Sequence, residues 1–218
     1  VNSIFSVQNI LEEKKLTFIN QYPQFIQNYI NRLFHEEKIN LILRKFKNDK
    51  NFQFVKHVLD YNNNLIQVNN SIALNKQKNY IFVANHPTGI LDGLVLLNEI
   101  GKHYNNVKFI INDILTYFPN MNDLYLPIDW VGKLSKNQVK SILKILESDI
   151  PIIIFPSGEV SKISKSGIKD LLWNDFFIKN SIRYKRDIIP IYINGSNSIR
   201  FHMVSILRRV LQLKFNFE

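Results

Sequence analysis

At 218 residues and 45% hydrophobic content the chain is long enough to bury one sizeable core, enclosing roughly 70% of the surface its unfolded form exposes. It has no cysteine, which excludes disulfides, thiolate metal sites and a cysteine nucleophile. The net charge of +10 is uneven: residues 1–79 carry eleven Lys/Arg against six Asp/Glu, 80–129 two against five, and 130–218 fifteen against seven. Basic flanks around an acidic centre suit an anionic membrane surface, an acidic carrier or a phosphorylated cofactor, or are simply solvated charge. Nucleic acid is the weakest fit, because zinc-finger spacing, an RNA-recognition signature and a basic helix with heptads are all missing from the sequence. No run of eighteen or more apolar residues and no signal-peptide pattern is present, so the expectation is a soluble or peripheral protein inside the cell.

Residues 1–79 read as an N-terminal helical segment. Leu16, Ile19, Phe25, Ile26, Tyr29, Ile30, Leu33 and Phe34 recur at helical spacing, with Pro23 opening a helix, and further amphipathic pieces span 39–46 and 52–59. Apolar faces flanked by Lys14, Lys15, Arg44, Lys45 and Lys47 are core stripes or surfaces that rest on a bilayer. Leu65 to Val68 is a candidate short strand. From residue 80 to 218 strands and helices alternate: strands at 80–84, 107–111, 125–128, 150–155 and 188–193, and helices at 94–100, 136–147 with Ser135 as N-cap, 169–185 with Leu172, Trp173, Phe176 and Phe177 on its apolar side, and 201–213. This predicts an α/β core with a mainly parallel central sheet flanked by helices, joined to the N-terminal helices in one compact domain. Sites in such sheets collect at the carboxyl ends of strands. Three turns stand there: Asn85 to Gly93, Pro156 to Ser161 and Asn194 to Ser198.

The first turn, Asn-His-Pro-Thr-Gly-Ile-Leu-Asp-Gly, carries the chemistry. Pro87 and Gly89 break any continuous helix, so His86 and Asp92 can meet across a bend. Such a pair makes a general base, the carboxylate orienting the imidazole and stabilising its protonated form. A structural reading also exists, with Asp92 serving only to cap the helix that follows. No Gly-x-Ser-x-Gly elbow supplies a serine nucleophile, and the simplest use of the pair is to deprotonate a substrate hydroxyl that attacks an activated carbonyl directly. The turn Pro156, Ser157, Gly158, Glu159, Val160, Ser161 offers backbone N–H groups, hydroxyls and a carboxylate for a polar head group. Backbone N–H groups near Gly89 or Gly158 are candidates for an oxyanion site. The scattered histidines have no metal-ligand spacing, so no metal is expected.

Four blocks in order, residues 85–93, 112–115 with 126–129, 155–161 and 189–198, resemble those of the glycerophospholipid and lysophospholipid acyltransferases. The nearest branch is the hemolysin-like one, associated with O-acylation of lyso-ornithine and related aminolipids. The resemblance implies His86 as general base and Asp92 as its orienting partner. It also implies substrate contacts from Asn85, Pro87, Gly89, Phe155, Pro156, Ser157, Gly158, Glu159 and Ser161. No tightly bound cofactor is expected; the acyl donor is an acyl carrier protein or coenzyme A thioester, and contact is peripheral, on the cytoplasmic face of the cell membrane. Five residues separate His86 from Asp92, where the wider family has four. No arginine follows Ile128, and Ser157 stands where that family has glutamate. These departures point from a glycerol-phosphate acceptor toward a lyso-aminolipid. The alternatives are a lysophosphatidate or lysophospholipid acyltransferase and a non-catalytic membrane-binding protein on the same fold. Arg183, Lys185, Arg186, Arg208 and Arg209 are candidates for contact with anionic lipid or an acidic carrier protein.

Overall fold

The computed structural model describes residues 4–13, 23–24, 28, 32, 35–63, 65–69, 73–75, 78–112, 117–128, 135–164 and 167–197. The apolar positions from Leu16 to Phe34 and the terminal helix at 201–213 lie outside them. The fold divides into two units, one formed by residues up to Asn63 with the stretch around Pro119–Met121, the other by the rest.

The first unit is helical: α1 (Val7–Glu13), α2 (Glu36–Lys45), α3 (Asn51–Tyr61) and a 3₁₀ turn at Pro119–Met121. The two amphipathic pieces expected from periodicity therefore form, each slightly longer than the sequence pattern. Buried amides join its parts. Asn40 accepts the main-chain N–H groups of Ile4 and Phe5 at 2.8 and 2.9 Å, and Asn120 donates to the carbonyls of Phe46 and Asp49. Each side chain satisfies groups that burial would otherwise leave unpaired.

The second unit is α/β. Its strands are β1 (Tyr80–Ala84), β2 (Lys108–Asn112), β3 (Tyr125–Ile128), β4 (Ile152–Ile154) and β7 (Asp187–Ile191), in the order β3-β2-β4-β1-β7 and all parallel. Helices α4 (Ile90–Gly101), α5 (Lys136–Leu146) and α6 (Phe176–Tyr184) connect them. A separate antiparallel ribbon joins β5 (Lys162–Ser164) to β6 (Gly167–Lys169). Leu65 to Val68 forms no strand; Leu65 and Val68 are both exposed and lack the apolar surface that would hold them.

The strands are Ile-rich, and the central β1 and β4 are buried throughout because both faces are covered there. On one face Ile81, Val83, Ile110, Ile152 and Ile154 join Ile142 and Leu146 of α5 and Phe177 of α6. On the other, Phe82 meets Tyr104, which follows α4, edge to face. There Gly93 of α4 lies so close to Phe109 that a Cβ would stand 2.5 Å from its ring. Ser135 caps α5 as its sequence suggested, accepting Gln138 N–H at 3.2 Å while the Gln138 side chain accepts Ser135 N–H at 2.8 Å.

Two further expectations are overturned. The helix predicted over 169–185 begins only at Phe176; the residues before it form β6 and a loop. Asn174 N–H donates to Pro156 O at 3.0 Å, and Asn174 Oδ1 accepts Phe176 N–H at 2.8 Å. The loop is tied down and the helix nucleated from its end, so Leu172 and Trp173 lie off the helical stripe while Phe176 and Phe177 stay on it. Arg186 is not a surface contact for lipid or carrier protein: it is 2% exposed. Its guanidinium donates to the carbonyls of Leu146, Ile150 and Ile145 at 3.0, 2.9 and 2.8 Å, and to that of Ser148. Two of these, Ile145 and Leu146, are in the last turn of α5, where a cation is also favoured by the helix dipole; the other two lie in the turn that follows. Burial lowers the Arg186 pKa from its ordinary value, with Asp149 opposing the shift.

Candidate active site

Three turns leave the carboxyl ends of the adjacent strands β4, β1 and β7 and meet at one rim of the sheet. From β1 the chain runs outward to β2, whereas from β4 it runs the other way to β7, so β1 and β4 flank a topological switch point. His86 stands there, two residues past the end of β1. The bend that Pro87 and Gly89 suggest is present: Gly89, at φ 76°, is the N-cap of α4 and Asp92 is its third helical residue. His86 Nδ1 lies 2.9 Å from Asp92 Oδ2.

Asp92 is 1% exposed and its carboxylate is saturated. Besides the imidazole it accepts Thr88 N–H at 2.7 Å, Gly89 N–H at 3.1 Å and the Thr88 hydroxyl. These donors, at the positive end of a helix, all meet the carboxylate oxygens. An ionised Asp92 places the proton of a neutral imidazole on Nδ1 and leaves Nε2 with its lone pair. The capping and base-orienting readings of Asp92 are therefore one arrangement. His86 is 16% exposed, open enough to meet a substrate.

The ring is fixed from several sides. Phe155, following β4, stacks on His86 with centroids 3.9 Å apart and planes 11° from parallel, and Phe109 meets Phe155 edge-on at 5.4 Å. His86 N–H donates to Asp170 Oδ1 at 3.2 Å, and His86 O accepts Ser161 N–H at 2.7 Å. The Ser161 hydroxyl also donates to Asp170, whose second oxygen accepts the Trp173 indole N–H at 2.8 Å.

The remaining site residues expected from the sequence divide by what they touch. Asn85 exchanges two hydrogen bonds with the main chain of Ile193, at 2.9 and 2.6 Å, extending the pairing of β1 with β7 by a side chain. Pro87 is buried and its carbonyl accepts Asn197 Nδ2 at 3.0 Å, while Gly195 has no room for a Cβ beside Thr88. Ser157 donates to Glu159 O at 2.8 Å, Glu159 pairs with Lys162, and Pro156 holds the loop through Asn174. Two N–H groups offered as oxyanion donors already have acceptors: Gly89 donates to Asp92, and Gly158 to Phe155 O at 3.0 Å. Thr88, Asp170 and Asn197 escaped the sequence reading. Thr88 lies four residues before Asp92, a spacing visible in the chain; Asp170 is 84 positions from His86, and no local pattern joins them.

A strand-end histidine held by a saturated carboxylate, on a parallel α/β sheet, is an arrangement with the chemistry of a general base. Comparison with known proteins gives the family. The acyltransferase family model matches residues 9–218. Among curated proteins, the chain is 32% identical to a lyso-glycine lipid O-acyltransferase of Bacteroides thetaiotaomicron, over 98% of this chain and 79% of the relative. It is 31% identical to a lyso-glycine lipid O-acyltransferase of Phocaeicola vulgatus, over 99% of this chain and 78% of the relative. No solved structure matches. The chain belongs to the acyltransferase family, in its lyso-aminolipid branch, and is an acyltransferase enzyme.

Proposed function

We propose that this enzyme moves a fatty acyl chain from an acyl thioester to the hydroxyl of a lyso-aminolipid, with a lyso-glycine lipid the first acceptor to test. The observation that carries the mechanism is the 2.9 Å contact of His86 Nδ1 with Asp92; with the proton on Nδ1, Nε2 is the acceptor. Nε2 takes the proton of the acceptor hydroxyl as that oxygen attacks the thioester carbonyl. The tetrahedral intermediate collapses by breaking the carbon–sulfur bond, and the imidazolium returns its proton to the departing thiolate. Asp92 stabilises the imidazolium between the two transfers. Phe155 keeps the ring in one plane throughout.

The acceptor class rests on the two relatives, whose names specify a lyso-glycine lipid, and on the five-residue gap between His86 and Asp92. The donor is an acyl carrier protein or coenzyme A thioester, used as co-substrate. Contact with the inner face of the cell membrane is peripheral; among the described residues no helix is long and apolar enough to cross a membrane. The test supplies purified protein with labelled acyl thioester and, separately, lyso-glycine lipid, lyso-ornithine lipid and lysophosphatidate, identifying products by mass spectrometry. The expected product is the O-acylated aminolipid. Preferential acylation of lysophosphatidate would overturn the acceptor assignment, and fatty acid released without any acylated lipid would overturn acyl transfer itself.

A further inference from the structure

Between Ile163 and Trp173 the chain places five large apolar side chains in contact with solvent: Ile163, Ile168, Leu171, Leu172 and Trp173. Leu172 is 98% exposed. This stretch comprises the β5–β6 ribbon, which is separate from the main sheet, and the loop running on to α6. Side chains on a ribbon alternate between faces. Ile163 and Ile168 are direct cross-strand partners on one face; Lys162 and Lys169 are partners on the other. The ribbon is therefore amphipathic, and its polar face sets two cations opposite each other, an arrangement that is unfavourable until an anion joins it. Glu159 supplies one carboxylate, to Lys162. Over residues 162–185 the sequence carries six Lys/Arg and two Asp/Glu. Apolar side chains set among an excess of cations match the surface of an anionic bilayer.

The position of this element relative to the chemistry gives it a purpose. Asp170 sits at the root of the loop and accepts from the His86 main-chain N–H, the Ser161 hydroxyl and the Trp173 indole. Trp173 in turn meets Phe177 of α6 edge-on at 6.0 Å. The exposed apolar loop is thus tied through one carboxylate to the catalytic histidine's own backbone.

We propose that the β5–β6 ribbon and the loop from Asp170 to Trp173 dock on the surface of an anionic lipid bilayer, holding His86 at the interface from which the lysolipid acceptor is drawn. The inference rests on the acyl-transfer reading and assigns its membrane contact to this element. Two tryptophans, Trp130 and Trp173, are present in the chain, so the Trp130→Phe protein reports on Trp173 alone.

That protein is mixed with vesicles of phosphatidylglycerol and phosphatidylcholine, and with vesicles of phosphatidylcholine only. With anionic vesicles, Trp173 emission should shift to the blue and be quenched by brominated acyl chains, and added salt should weaken the response. Adding Leu172→Asp should lower vesicle affinity on the order of tenfold or more, the loss expected when one leucine no longer enters the apolar layer. Leu172→Phe should retain the affinity, which separates docking from damage to the fold. Emission of Trp173 unchanged while the protein floats with vesicles, or flotation untouched by Leu172→Asp, would overturn the assignment. Preference for phosphatidylcholine over anionic vesicles would overturn it too. Acylation assayed in parallel keeps the two readings apart: a blue shift without any lipid product leaves docking standing and removes acyl transfer, whereas product formation with Trp173 still in water does the reverse.

Discussion

Asp92 meets four donors in a buried site, and only one of them is the imidazole. Asp92→Asn places an amide where donors converge and withdraws the charge that favours the imidazolium. Turnover should fall on the order of a hundredfold or more, with about 1–3 kcal/mol lost in denaturant unfolding from the unmatched donors. Steady-state rates beside a urea titration check both. Asp170 acts one step away, through the His86 backbone and the loop. Asp170→Ala should lower kcat with the donor thioester KM little changed, whereas a general loss of folding would show as reduced active fraction at unchanged kcat per active site. At this scale the sequence disclosed what lies within a few residues. His86, Pro87, Gly89 and Asp92 belong to one bend, so their meeting follows from backbone rules. The stacking of Phe155 on His86 and the bond from Asp170 depend on which strands lie side by side, which local spacing does not encode.

Among the elements, the strands at 80–84 and 125–128 coincide with the apolar runs that predicted them, and the first, central in the sheet, is buried along its whole length. The run at 150–155 shortens to Ile152–Ile154, with Phe155 turned to the site. The helix expected from 169 misled because Leu172, Trp173, Phe176 and Phe177 mimic a helical stripe, while the tethers at Asp170 and Asn174 decide the backbone. Arg186 looked like a surface charge for a comparable reason: nothing near it in sequence shows the carbonyls at the end of α5. Arg186→Met removes the buried donor that several of those carbonyls share, and stability should drop by about 3 kcal/mol, lowering the melting temperature by roughly 10 °C. Arg186→Lys should recover little of it, since an ammonium lacks the planar fork that reaches several carbonyls at once. Gly93→Ala drives a Cβ into the buried Phe109 ring, separating α4 from β2. A loss of about 1–3 kcal/mol is expected in thermal unfolding, with activity falling as well because Phe109 supports Phe155.

For the whole molecule, the alternating strands and helices identified the α/β class, and the rule that sites gather at strand carboxyl ends located the three turns. What the alternation left open was the order β3-β2-β4-β1-β7, which sets the turn after β4 and the turn after β7 on either side of His86. That order explains why residues from 85 to 197 converge on one imidazole, and why Asn85 and Asn197 serve to lock turns together. The family places the enzyme among acyltransferases; the proposed mechanism asks one histidine, held by Asp92, to serve as the base. The most direct measurement is the rate of acyl transfer from thioester to lysolipid by purified His86→Ala beside the native enzyme, with melting curves recorded on both. A rate at least a hundredfold lower with the fold retained is the expected result. Equal rates in the two proteins would contradict the assignment of His86 as the base.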